Sequence, residues 1–289
     1  DGGFTFDYLA QIFVNPIYLE GLWNALILGV TSTFVALLIA FPLAVLNHRY
    51  QFPFKIALSS LILIPLVLPP FVGAVGVKQM LGVTGSLNAF LEKIGLMDPS
   101  APIDWLGEGR FWGIVIMNAL HLYPILYMNI AASLAHLDPA MEEAAQNLGC
   151  SPWRRLRRIT IPLSMPGIFA GGAIVFIWSF TELGVPLVFD YSRVAPVQIY
   201  DGLKDLDSNP FPYALVAVML VISSAVFLIS KAFLGRSKLG AAPRPKGIQT
   251  EKLLTGLKGW SLSFLFLGTF LIASLPHLGV VLLSTSTDW

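Results

Sequence analysis

The stretch from Asp138 to Pro162 reads DPAMEEAAQNLGCSPWRRLRRITIP, and a long apolar run lies on each side of it. It contains Glu143-Ala144-Ala145, then Gly149 after three residues, then Ile159-Thr160-Ile161-Pro162 after nine more. Most of the remaining chain is apolar, so this polar stretch is the best guide to how the chain is organised.

The same stretch carries the signals of two short helices joined by a turn. Asp138-Pro139 suits a helix start, with Asp as the N-cap and Pro at the first helical position. Gly149 suits the end of that helix, because glycine adopts a left-handed backbone conformation at no steric cost. Ser151-Pro152 then starts a second helix, which Pro162 and Pro166 are predicted to stop before the next apolar run.

The composition places the chain in a membrane. It is 55% hydrophobic and only 12% charged, with a mean hydropathy of +0.73. A helix needs about 20 apolar residues to cross the hydrocarbon core. Such runs occur at roughly 21–46, 55–77, 111–135, 167–189, 211–234 and 260–283. Backbone groups in lipid must be satisfied internally, and the alternation typical of barrel strands is absent. We therefore predict an all-α polytopic membrane protein with about six transmembrane helices.

The distribution of basic residues predicts the orientation, although the net charge is only +1. If the first span runs from outside to inside, thirteen of the eighteen Lys and Arg residues fall in cytoplasmic segments. These are Arg49, Lys55, Arg154, Arg155, Arg157, Arg158, Lys231, Arg236, Lys238, Arg244, Lys246, Lys252 and Lys258. Because Lys and Arg favour the cytoplasmic side, the 138–162 stretch is predicted to be cytoplasmic and both chain ends external.

Two features within the spans are candidates for a translocation path. Pro65, Pro69 and Pro70 should kink or interrupt the second span, and broken helices often line such paths. A kink needed only for packing is the alternative. Glu182 is an acidic residue within a span, which makes it a functional candidate by default. It lies near the outer boundary of that span, so it could instead pair locally.

The spacing in the 138–162 stretch resembles the EAA loop of ABC importer permeases, which runs EAA, three residues, G, nine residues, then I-x-L-P. Ile161 departs conservatively from the usual leucine. The resemblance implies a type I ABC importer transmembrane domain, which is a five-helix core, here with one further helix. It also implies a bacterial inner membrane, an ATPase dimer at the loop and an external solute-binding protein. The positions that it marks as ATPase-contacting or loop-shaping are Glu143, Ala144, Ala145, Gly149, Ile159 and Pro162.

Softer patterns resemble the long fused permeases of the iron(III), thiamine and putrescine group. They are Asn15-Pro16-Ile17-Tyr18, the stretch 180–187, and a sixth span after a basic linker. On this resemblance the chain is expected to be a fragment. The implied organisation is an external lead-in at 1–20, a permease domain at 21–234 with its loop at 138–166, a linker at 235–258, and at 259–289 the first helix of a fused second half. The resemblance implies iron(III) as the first choice of cargo, with thiamine, putrescine, phosphonate or an oxyanion as alternatives.

Other functions remain open to the residues alone. The loop could be a basic amphipathic connector that binds lipid headgroups through arginine. An ion-coupled secondary transporter or channel would be expected to carry several intramembrane charges. A membrane enzyme would need clustered catalytic groups, and we find none. The sequence has no G-x-x-x-x-G-K-[ST] phosphate loop and no histidine spacing typical of a metal site. We therefore expect no ATP hydrolysis by this chain, no cofactor, no metal site and no nucleic-acid partner.

Overall fold

The computed structural model describes residues 6–107, 110–137, 139–205, 209–236 and 251–285. Asp138, predicted as an N-cap, lies outside these residues. So do residues 1–5 of the lead-in, 237–250 of the predicted linker, and 286–289 at the end of the last predicted helix.

The described chain is almost entirely helical. Its α-helices are α1 (Asp7–Val14), α2 (Pro16–Arg49), α3 (Lys55–Leu61), α4 (Pro70–Leu81), α5 (Ser86–Lys93), α6 (Phe111–Ala135), α7 (Pro139–Asn147), α8 (Pro152–Arg155), α9 (Ile161–Phe180), α10 (Gly184–Val188), α11 (Ala195–Gly202), α12 (Phe211–Arg236) and α13 (Gly256–Ser284). Short 3₁₀ turns cover Ile64–Leu66 and Leu203–Asp205, and a π-helical turn covers Leu156–Thr160. Two short strands are β1 (Tyr50–Gln51) and β2 (Lys252–Leu253).

The predicted spans are present, one of them broken. In the described residues five helical segments are long and apolar enough to cross a membrane: Pro16–Arg49, Phe111–Ala135, Pro152–Val188, Phe211–Phe233 and Gly256–Val281. A sixth candidate is the pair Lys55–Leu66 and Pro70–Lys93, whose two parts meet at 86°. This confirms the polytopic all-α class and the predicted interruption of the second span.

The first span begins earlier than the apolar pattern indicates. Asn15 is extended, and its side-chain oxygen accepts a hydrogen bond from the Ile17 N–H at 3.0 Å. Pro16 occupies the first helical position, where its missing N–H costs nothing. This cap starts α2 at Pro16, although the apolar run begins near residue 21.

Helix α6 lies at the centre of the bundle and is the most deeply buried span. It packs against α2 and α9. Gly167 and Gly171 of α9 face it: a Cβ on Gly167 would overlap the Asn129 carbonyl, and one on Gly171 would lie 3.1 Å from the Leu126 Cα. The G-x-x-x-G spacing therefore marks a close approach of two helices.

Helix α13 packs on α4, so the last span belongs to the same bundle. A Cβ on Gly76 would overlap the Pro276 carbonyl oxygen, which shows how closely the two backbones approach. Strands β1 and β2 pair in parallel, with Tyr50 opposite Lys252 and Gln51 opposite Leu253. Within residues 251–258 of the predicted linker, Lys252 and Leu253 are therefore in a strand, and α13 begins at Gly256.

Candidate functional site

Helix α7 presents two different faces. Glu142 is half-buried and points into the protein, where it contacts Arg49. Glu143 and Ala144 are exposed, and Ala145 is half-buried. Of the three residues matched by the EAA spacing, two therefore lie on the free surface of this helix.

The turn after α7 is a Schellman motif built on Gly149. Its φ is +75°, in the left-handed region that glycine adopts freely. The Gly149 N–H donates to the Gln146 carbonyl at 2.9 Å, and the Cys150 N–H donates to the Ala145 carbonyl at 2.9 Å. These two bonds satisfy carbonyls that the helix end would leave free. The predicted helix end is confirmed.

The second helix of the loop continues into the membrane span. Ser151 caps α8 by accepting a weak hydrogen bond from the Arg154 N–H at 3.4 Å. The prediction that Pro162 and Pro166 stop this helix is wrong, because both lie within α9. The π-helical turn Leu156–Thr160 precedes Pro162, and the Ile161 N–H bonds back five residues to the Leu156 carbonyl. The wider turn accommodates a proline that has no N–H to give, so the helix runs on into α9.

The other two predicted loop positions lie on this continuous helix. Ile159 is half-buried within the π-helical turn, and Pro162 is exposed at the second position of α9. Neither belongs to the exposed face of α7. The structure thus brings Glu143, Ala144, Ala145 and Gly149 together and leaves Ile159 and Pro162 farther along the chain.

A cluster that the sequence reasoning missed ties this loop to the bundle. One guanidinium nitrogen of Arg49, Nη2, donates to Glu142 Oε1 at 2.6 Å and to Thr160 Oγ1 at 2.7 Å. The Thr160 hydroxyl in turn donates to Glu142 Oε1 at 3.0 Å. Burial raises the pKa of the Glu142 carboxyl, but the hydrogen bonds and charge of Arg49, with Thr160 and Arg155, outweigh burial and hold that pKa below its usual value.

The broken second span is held by side chains from α6. Pro65 is buried, Pro69 is exposed and extended, and Pro70 begins α4. The Tyr123 hydroxyl donates to the Ile62 carbonyl at 2.6 Å, and His121 Nδ1 lies 2.9 Å from the Pro65 carbonyl. Both side chains are buried, so their role in this structure is to satisfy carbonyls that the break leaves without helical partners.

Glu182 lies at a second break, between α9 and α10. Its Oε1 accepts hydrogen bonds from the N–H groups of Gly184 at 3.0 Å and Val185 at 3.2 Å, so from the position before the N-cap residue Leu183 it satisfies free N–H groups at the start of α10. A Cβ on Gly184 would come within 2.9 Å of Phe71 Cβ in the first turn of α4. The two breaks are therefore neighbours, and Glu182 lies beside the helix that Pro70 begins.

A second ion-pair cluster joins three helices at the opposite end of the bundle from the loop. Asp190 contacts Lys78 of α4 at 2.6 Å and Arg110, just before α6, at 2.8 Å. The hydrogen bond from Lys78 has the largest effect on the Asp190 carboxyl, and with that from Arg110 it holds the pKa of Asp190 below its usual value. No group of three His, Cys, Asp or Glu side chains in the described residues is arranged to hold a metal ion.

A bundle of spanning helices with an exposed loop helix between two spans defines a polytopic helical membrane protein. The model of the family described as "binding-protein-dependent transport system inner membrane component" matches residues 32–239. The chain belongs to this family. It is the permease subunit of an ABC importer, a multi-pass protein of the inner membrane and not an enzyme.

The relatives are named for different transported solutes. The spermidine/putrescine permease PotB of Haemophilus influenzae is 31% identical, over 78% of this chain and 77% of its own length. The ferric transport permease FbpB of Actinobacillus pleuropneumoniae is 30% identical, over 87% of this chain but only 35% of its own length. The molybdenum permease ModB of Escherichia coli is 29% identical, over 72% of this chain and 90% of its own length.

Solved structures support the fold. A bacterial ABC transporter that imports alginate matches with a TM-score of 0.60 at 19% identity, covering 82% of this chain and 86% of its own. An amino acid ABC transporter matches with a TM-score of 0.52 at 20% identity, covering 81% of this chain and the whole of its own.

Proposed function

We propose that the exposed face of α7 and the Gly149 turn form the docking surface for an ATPase subunit. Permeases of ABC importers work with an ATPase and a solute-binding protein, so a soluble-side docking surface is required. The observation that carries the assignment to this loop is its exposed apolar side chains. Leu148 is 85% exposed and Trp153 is 70% exposed, and Glu143 of the same loop is exposed as well. Exposed large apolar residues with an adjacent charge are typical of a surface that a protein partner covers.

In this proposal the loop faces the cytoplasm and the solute-binding protein docks on the other side. The excess of Lys and Arg on the loop side supports this orientation. ATP-driven movement of the docked ATPase would displace α7. The path that opens and closes would lie at the two neighbouring helix breaks, beside Pro65, Pro69, Pro70 and Glu182.

We propose iron(III) as the cargo. The ferric relatives align with 87% and 88% of this chain, against 78% for the PotB of Haemophilus influenzae and 72% for ModB. Identities of 29–31% do not separate the three groups. Thiamine, a polyamine, a phosphonate and an oxyanion such as molybdate are therefore the alternatives that a transport assay must include.

We also propose that residues 259–289 open a second permease half fused in the same polypeptide. The ferric relatives are much longer than this chain, which covers 35% and 38% of them. An antibody against residues 251–285 tests this on membranes from cells that carry the native gene. A band well above 31.5 kDa supports fusion, and a band at 31.5 kDa contradicts it.

The function is tested by reconstituting the full-length protein in vesicles with its ATPase and solute-binding protein. We expect uptake of radiolabelled iron(III) that requires ATP and the binding protein, with no uptake of labelled putrescine or molybdate under the same conditions. Uptake of either alternative instead of iron(III) contradicts the cargo. Uptake that proceeds without any ATPase contradicts the coupling and favours a secondary transporter or channel.

A further inference from the structure

Three elements meet at one hydrogen-bonded cluster where the loop joins the bundle. Arg49 is the last residue of α2, Glu142 lies in α7, and Thr160 ends the π-helical turn before α9. The three side chains form a closed triangle with donor–acceptor distances of 2.6, 2.7 and 3.0 Å. We refer to these three residues as the Arg49 cluster.

The Arg49 cluster is shielded from water. The side chains of Arg49 and Glu142 are 19% and 22% exposed, and Thr160 is fully buried. A shielded charge pair is screened less by salt than a surface pair, and losing one partner leaves an unpaired buried charge. The geometry of the cluster should therefore be maintained while the loop moves.

The links of α7 to the rest of the protein differ in what they connect. Gln146 accepts a hydrogen bond from Arg155 Nη1 at 3.0 Å, a contact that stays inside the loop. Glu142 lies one helical turn earlier and contacts two spans, α2 through Arg49 and α9 through Thr160. Among the described residues, the Glu142 carboxylate therefore joins α7 to both spans, in addition to the backbone at the ends of α7.

The element next to Thr160 can deform. A π-helical turn inside a helix is a local distortion with less regular hydrogen bonding than the α-helix around it, and such turns are common at functional sites. Here it lies between the loop helix α8 and the span α9. A movement of the loop can therefore change this turn while the rest of α9 stays helical.

We propose that Arg49, Glu142 and Thr160 are positioning residues that couple movement of α7 to α2 and α9 at the same time. This inference rests on the proposed docking of an ATPase at α7. Without the cluster, α7 would still bind the ATPase through its exposed face, but its movement would no longer reach both spans. Hydrolysis would continue while transport per ATP falls.

The test compares Thr160→Val, which removes the hydroxyl at nearly constant shape, with Thr160→Ser, which keeps it. Glu142→Gln is the second probe. Glu251→Gln is the matched control: Glu251 pairs with Lys55 at 2.6 Å, is similarly shielded, and does not touch the loop. Each variant of the full-length protein is reconstituted with its ATPase and binding protein. Measurements are ATPase co-purification, thermal midpoint, and cargo taken up per ATP hydrolysed.

We expect Thr160→Val and Glu142→Gln to retain the ATPase and to lose about tenfold in uptake per ATP, within the range of typical coupling free energies. Thr160→Ser and Glu251→Gln should keep the wild-type ratio. A wild-type ratio in Thr160→Val, or an equal loss in Thr160→Ser or Glu251→Gln, overturns the inference. Failure of the unmodified protein to bind any ATPase overturns the proposed function and this inference with it, so the two failures are distinguishable.

Discussion

Glu142 and Glu143 are adjacent in the chain but lie on different sides of α7. Glu142 Oε1 is 2.6 Å from Arg49 Nη2, whereas Glu143 is exposed. Successive residues of an α-helix are rotated by about 100°, so two adjacent glutamates can serve a buried contact and a free surface. One carboxylate holds the loop helix against the bundle, and the other is available to a partner.

Glu143→Ala should weaken association with the ATPase and leave the stability of the permease unchanged. Its side chain is exposed, and substitutions at such positions usually change the free energy of unfolding by less than about 0.5 kcal/mol. Co-purification and thermal unfolding in detergent measure the two effects. Glu20 is an exposed carboxylate near the start of α2, at the opposite end of that helix from Arg49. Glu20→Gln is the control and should change neither ATPase association nor stability. Normal ATPase binding by Glu143→Ala would remove this residue from the docking surface.

Gly149→Val should uncouple ATP hydrolysis from uptake. A Cβ at this position meets nothing within 4 Å, so the cost comes from the backbone, whose φ of +75° is strained by about 1–3 kcal/mol for a β-branched residue. Relief of that strain would reorient α7 relative to α8. Gly149→Asn is the matched variant, because asparagine tolerates the left-handed region, and it should retain most coupling. Equal loss in both variants would show that the side chain is the cause and the backbone is not.

The turn of the loop and the start of its second helix could be predicted from the sequence because their determinants are local. Gly149 and Ser151 act on backbone groups a few residues away, and the turn and the cap form where the spacing predicts them. The Arg49 cluster could not be predicted in this way. Arg49 is 93 positions from Glu142 and 111 from Thr160, and no periodicity within a helix connects them.

The prolines show a second limit of local reasoning. Pro65, Pro69 and Pro70 predict an interruption, and the structure has one, but its 86° bend depends on how α6 and α13 pack against the two parts. Pro162 predicts a helix end that does not occur. The π-helical turn before it has a wider hydrogen-bonding pattern, which accommodates a residue that has no N–H to donate. A proline therefore marks where regular bonding fails, and packing decides whether the helix bends, breaks or continues.

Gly167→Ala should destabilise the bundle, whereas Gly172→Ala in the same helix should not. The new Cβ at residue 167 would overlap the Asn129 carbonyl of α6, and overpacking of this kind costs about 1–3 kcal/mol. At residue 172 the nearest atom would be Thr33 Cγ2 at 3.8 Å, an ordinary contact, and alanine favours the helix by up to about 1 kcal/mol over glycine. Thermal unfolding in detergent ranks the two variants. Equal midpoints would mean that α6 and α9 can separate without cost.

Asp190→Asn should lower stability at neutral pH and make it less dependent on pH in the acid range. The pKa of Asp190 is depressed by Lys78 and Arg110, so the stabilisation is complete above the unfolded value near 3.8 and is lost as pH falls through the lower folded value. Asp190 is well exposed, which limits the effect to about 1 kcal/mol or less. Thermal midpoints of both proteins from neutral pH to about pH 2 should converge at the acid end. A constant difference over the whole range would contradict a role of this ion pair.

Asp190→Asn combined with Lys78→Met supplies the control for that experiment. If the contribution of Asp190 comes from its contact with Lys78 at 2.6 Å, the double variant should be less destabilised than the sum of the single variants. Additive losses would assign the effect to Arg110 alone, which also donates from Nη1 to the Phe189 carbonyl at 2.7 Å.

Variants at Glu182 can distinguish a capping role from a role in the translocation path. As a cap, its carboxylate oxygen accepts hydrogen bonds from the N–H groups of Gly184 and Val185. The amide oxygen of a glutamine can accept the same two hydrogen bonds. As part of a path, its charge would contact the cargo. We therefore expect Glu182→Gln to keep wild-type uptake and stability. Glu182→Ala should lose about 1 kcal/mol of stability, the usual cost of removing a helix cap.

Uptake and thermal unfolding must be measured on the same Glu182 variants, because each role predicts a different pairing of the two. If Glu182 acts as a cap, uptake and thermal stability should fall together. The reason is that α10 packs beside the first turn of α4 through Gly184 and Phe71, so loosening α10 disturbs the neighbouring break. A stable Glu182→Gln protein that no longer takes up cargo would show that transport needs the charge itself, because the charge is the only property that this variant lacks. That result would place the carboxylate in contact with the transported solute.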